Sequence, residues 1–130
     1  MLLDSTMSLT VVLGGAAATT EPQGVACWED LPVSGQVGGI APVHQPGSAA
    51  FITTGSTAIT LVAAPAAGFV RRVTTIHLYN IDSAAITPNF KVVVGATGRT
   101  VFKGTRATLE NLFYGFTTGW QGYSVALAKQ

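Results

Sequence analysis

Apolar residues in this chain recur at every second position, in runs too short for anything but strands, and glycine- or proline-bearing breaks separate the runs. In MSLTVVL, Met7, Leu9, Val11 and Leu13 fall on one face of an extended segment, while Ser8, Thr10 and Val12 fall on the other. That is the period of a half-buried strand, not of a helix. The run FVRRVTTIHLYNI has the same character, but its apolar positions Val73, Ile76 and Leu78 change phase between Val73 and Ile76. A one-residue bulge there reconciles the two phases by re-aiming the side chains.

The remaining segments follow the same logic. VACWEDL predicts a short strand, and residues 32–47, rich in glycine and proline with scattered apolar positions, predict a long loop. FITTGSTAITLV offers two extended pieces around Gly55 and stops at AAPAAG, where Pro65 cannot donate a ladder hydrogen bond and Gly68 permits a turn. FKVVV pairs with RTVFK across GATG as a hairpin, its lysines and Arg99 outward, after a turn at NIDSA. ATLENLFYGF and GYSVALA supply two more strands, and only residues 105–112 admit a helical turn. About eight strands and no amphipathic helix predict an all-β fold: a single antiparallel β-sandwich, jelly-roll-like, with an extended N-terminal arm. Residues 14–22, GGAAATTEP, form no tight hairpin turn and read as a mobile connector, so residues 1–24 are expected to be arm and connector and residues 25–130 the sandwich.

The charges are few and split. Only 10% of the 130 residues are charged, against about 25% in an ordinary soluble domain, which implies that part of the surface is covered by something else. Residues 1–70 hold Asp4, Glu21, Glu29 and Asp30 and no Lys or Arg, a net −4; residues 71–130 hold seven basic residues against Asp82 and Glu110, a net +5. Such halves are complementary between copies, and head-to-tail, salt-sensitive association is the expectation. The overall charge of +1 disfavours nucleic acid as a partner, and no segment reaches the roughly 18–20 apolar residues of a membrane helix. The N-terminus lacks the basic residues of a secretory signal and carries Asp4 in their place. Cys27 is the only cysteine, and its neighbours Val25, Ala26 and Trp28 predict a buried, inert thiol.

Chemistry-bearing constellations are sparse. VVVGATGRTV imitates a dinucleotide-binding turn, but Val101 stands where a small residue is needed and RTVFKG reads as a returning strand. His44 and His77 have no cysteine or carboxylate at ligand spacing, and no GxSxG elbow occurs, so neither a metal, a cofactor nor catalysis is expected. Glu29 and Asp30 are adjacent in a strand and point to opposite faces, poorly placed for paired-carboxylate work. Tyr114, Trp120 and Tyr123, interleaved with Gly115, Gly119 and Gly122, are rings that stack on sugars, anchor an interface, or simply form the core of the last hairpin. Arg71 and Arg72, beside Phe69, are placed to clamp an acidic partner or, equally consistent with the sequence, to form a solvated strand end, and Leu9, Val11 and Leu13 to enter a neighbour's sheet edge by β-augmentation.

The strings MLLDST, SLTVVLGGAAATTEP, VACWEDL and STAITLVAAPAAGFVRRVTTIHLYNID together resemble small virion structural proteins of tailed bacteriophages, over residues 1–30 and 56–82. The resemblance implies a β-sandwich building block of the particle. Its implied role is capsid cement or decoration at the capsid surface, binding junctions of the major capsid protein. Copies of itself are the other expected partner, most naturally as a homotrimer exchanging residues 1–13. The alternative it leaves open is a neck, tail or fibre component, a glycan-binding adhesin using Tyr114, Trp120 and Tyr123. It implies no catalytic residues.

Overall fold

A computed structural model describes residues 1–14, 22–33, 45–52, 57–107 and 109–124. Ten strands make it up: β1 (Leu2–Leu3), β2 (Met7–Leu13), β3 (Gln23–Pro32), β4 (Gln45–Ile52), β5 (Ile59–Val62), β6 (Phe69–Tyr79), β7 (Pro88–Val94), β8 (Thr97–Lys103), β9 (Glu110–Gly115) and β10 (Gly119–Ser124). They form two antiparallel sheets packed face to face, a β-sandwich, and the described residues contain no helix. The larger sheet runs β10-β9-β6-β3-β4, the smaller β5-β2-β7-β8.

β6 organises the larger sheet. One edge pairs with β3 along its whole length; the other pairs with β9 over Thr75–Tyr79 and with β1 at Arg71 and Arg72. The phase change read in its sequence is a bulge. Cys27 faces Thr75 and Trp28 faces Val73, leaving Thr74 as the extra residue, its Oγ1 donating to the Cys27 carbonyl at 3.1 Å. Val73, Ile76 and Leu78 all reach the core as a result.

The β7–β8 hairpin also forms as its sequence predicts, with a tighter turn. Val94 faces Thr97, so Gly95 and Ala96 alone connect the strands, and Gly95 takes φ +58°, the left-handed value a two-residue hairpin loop of the II′ kind asks of its first residue. The helical turn considered over residues 105–112 is replaced by a bridge from Arg106 to Ile86 and by β9 starting at Glu110. NIDSA is more than a turn. Asn80 and Asp82 are buried there, and the Asn80 amide donates to the carbonyls of Ala84, Arg106 and Ala107, tying two connections together.

The N-terminal segment is extended, and within the single chain it is docked in the sandwich. β2 is an inner strand, paired with β5 on one edge and with β7 on the other over all seven residues. Leu9, Val11 and Leu13, with Leu3, are buried in the same core as Phe90, Ile76 and Leu112. At about 1.5–3 kcal/mol per fully buried aliphatic side chain, their burial favours this docking strongly over detachment. Residues 15–21 and 34–44 lie outside the described residues, so the connector and most of the loop read at 32–47 do too; Gln45–Gly47 of that loop already belong to β4.

Candidate functional site

The bulge at Thr74 sorts the side chains of the larger sheet into an inward and an outward set. Antiparallel partners share a face, so Asp30, Arg71 and Leu3 point inward in one row, and Glu29, Arg72 and Leu2 outward in the next. The acidic pair of the first half therefore meets the basic pair of the second within one chain. Arg71 holds Asp30 through two parallel hydrogen bonds, Nε to Oδ1 at 2.7 Å and the terminal nitrogen to Oδ2 at 2.8 Å, and its other terminal nitrogen reaches the Ala63 carbonyl at 2.9 Å. Its guanidinium lies 4.8 Å from the centre of the Trp28 ring. Arg72 pairs with Glu29 and covers the Phe116 ring.

Arg71 and Arg72, read as a clamp for an acidic neighbour, each hold an acidic partner within the chain. Their charge is already used, and Arg71 bolts the larger sheet to the segment leaving β5. Head-to-tail attraction between copies loses its two acids nearest in sequence for the same reason.

Of the uses the sequence offers for the ring cluster, the structure shows core packing for two of its members. Trp120 packs at 4.7 Å on Phe90, 4.8 Å on Phe102 and 4.9 Å on Tyr114, joining β10 and β9 to the β7–β8 hairpin across the sandwich. Tyr114 is buried, and its hydroxyl accepts from the Met1 nitrogen. Burial raises its phenol above the ordinary tyrosine value. Two of the three rings proposed for sugars thus form interior packing. Tyr123 faces Asn111 in the β9–β10 ladder, and its side chain lies outside the described residues. Leu9, Val11 and Leu13 are core residues with no surface to offer.

What the outward set presents is a different surface. Val25, His77 and Phe113 form one cross-strand row, Cys27, Thr75 and Gly115 the next, with Tyr79 and Phe116 exposed at its margins. His77 packs edge-on to Phe113 at 4.7 Å and stacks with Tyr79 at 6.0 Å, and no hydrogen bond reaches its buried Nδ1. On β4 the same face carries Pro46, Ser48, Ala50 and Ile52. The only charges in these rows are Glu29 and Arg72, which neutralise each other. Beside them, Cys27, Glu29, Pro46, Ser48 and the edge of Trp28 line a shallow depression of about 490 Å³. Cys27 is half-buried on this outer face, not the core thiol its neighbours predicted.

Sequence reading missed this face because it is assembled from β3, β4, β6 and β9, whose outward residues look like ordinary alternation one strand at a time. The signal available was the scarcity of charge at those alternate positions. Among the described residues no three His, Cys, Asp or Glu side chains gather at metal-ligand range; His44 lies outside them. No protein-family model, curated protein or solved structure matches the chain.

Proposed function

We propose that the chain is a structural virion protein of a tailed bacteriophage, a cement or decoration protein seated on junctions of the major capsid protein, with copies of itself as neighbours. The observation that carries this reading is the outward face of the larger sheet. It is broad, built on rigid strands, rich in rings and small residues, and electrically neutral through its one ion pair. Faces of that composition suit burial against a protein partner: depletion of charge and enrichment of aromatic residues mark interface cores. The sequence resemblance over residues 1–30 and 56–82 supports the particle as the place where such a partner is met.

Quantitative mass spectrometry of purified virions tests it. Hundreds of copies per particle are expected, whereas a handful points to a neck, tail or fibre component. A Tyr79→Glu, Phe116→Glu double variant puts two charges on the margins of the neutral face, at positions exposed in the folded chain. It is expected to keep its melting temperature and lose particle association; retained association moves the contact to another face.

A further inference from the structure

With Arg71 and Arg72 neutralised inside the larger sheet, the basic surplus of the second half concentrates on the β7–β8 hairpin. Among the described residues, Lys91, Arg99 and Lys103 stand there with no acidic partner and β8 pairs with β7 alone. No described strand pairs with its other edge, a row of backbone donors and acceptors that suits a further strand.

The side chains around that edge are specific. Arg99 faces Val92 and so leans to the inward side of the sheet, whereas Lys103 faces Asn89 on the outward side. On the inward side the sandwich is open at this end. Met1, Met7, Val92, Val94 and Val101 line a groove of about 700 Å³, with Arg99 its only charged side chain among the described residues. Val94 and Val101 are exposed there.

We propose that β8 receives an acidic, extended polypeptide segment as a fifth strand of the smaller sheet. Backbone hydrogen bonds to the open edge supply affinity, apolar side chains of the guest lie over the groove at all but one of its inward positions, a carboxylate at that one meets Arg99, and carboxylates on the opposite face meet Lys103. Charge selects this occupant over a second copy of the chain. Two β8 edges brought together place four cations in one ribbon with no acid to offset them, and like charges opposed across strands are destabilising. The inference stands on the hairpin alone and does not depend on the virion reading.

Two synthetic ten-residue peptides test it at low ionic strength, each with valine at every second position but one; all other positions are glutamate in one peptide and lysine in the other. The glutamate peptide is expected to bind at least tenfold more tightly and to protect backbone amides within Thr97–Lys103 from hydrogen exchange. An Arg99→Glu, Lys103→Glu variant alters only partly or fully exposed positions, keeps the fold by circular dichroism, and is expected to invert the preference. Equal affinity for the two peptides, binding of neither, or tight binding of the glutamate peptide without protection on β8, would overturn the proposal.

Discussion

β2 and β8 are seven-residue strands of the same sheet, and their surroundings are opposite. β2 has a neighbour on each edge and puts Leu9, Val11 and Leu13 into the core, whereas β8 has one neighbour and only Phe102 drawn in from the surface. Sequence reading cast β2 as the strand that leaves home and β8 as an ordinary hairpin arm. Within one chain the structure makes β2 an inner strand and β8 an edge among the described residues. An alternating pattern states that a segment is a strand with one buried face; it does not state how many neighbours the strand has, and it is the missing neighbour that makes an edge available to another chain.

The comparison breaks first under truncation. Removing residues 1–13 takes an inner strand and four core side chains from the sandwich, and we expect loss of the cooperative unfolding transition, not a folded domain with weakened assembly. A truncated chain that still melts cooperatively would return β2 to the role of an arm. Single substitutions sharpen the contrast: Leu9→Ala is expected to cost about 2–5 kcal/mol in denaturant unfolding, and Val101→Ala less than about 0.5 kcal/mol. Comparable losses at the two positions would erase the distinction between inner and edge strand.

The charges offer the next test, between the neutralised larger sheet and the cationic hairpin. The Arg71–Asp30 pair is mostly buried, with side chains 14% and 13% exposed. Arg71→Met strands a carboxylate in that setting and is expected to cost about 3 kcal/mol. Arg72→Met, at a more exposed pair, is expected to cost about 1 kcal/mol or less. Because both pairs lie within one chain, sedimentation of the intact protein is expected to change little between low and high salt. Association that dissolves as salt rises would revive acid-to-base contact between copies.

A smaller effect concerns Tyr114. Burial holds its phenol above the ordinary value of 10.0, so its contribution to stability is complete below pH 10 and is lost as pH rises through the folded-state value. Unfolding midpoints at pH 8 and pH 11 are expected to fall less in Tyr114→Phe than in the parent chain. An identical fall would mean that the ring is not desolvated between the sheets.

Much of the fold was legible because it is local. The phase slip between Val73 and Ile76 announced a bulge that the structure realises at Thr74, and Gly95 marked the β7–β8 turn. What escaped was non-local. β2 finds β7 about eighty residues away, and Glu29 and Asp30 find Arg72 and Arg71 about forty residues away, so a loose connector after Leu13 looked like freedom and separated charges looked unpaired. Trp120 and Tyr114 were ambiguous for the same reason. Their partners across the sandwich, Phe90 and Phe102, lie on a hairpin that nothing near Trp120 specifies.

Native-state hydrogen exchange on the isolated protein tests the opposition of β2 and β8 most directly. The account predicts that the β2 amides exchange only with global unfolding, in the slowest class, while every second amide of β8, those turned away from β7, exchanges at nearly the unprotected rate. Early exchange throughout β2, with β6 and β7 still protected, would contradict it.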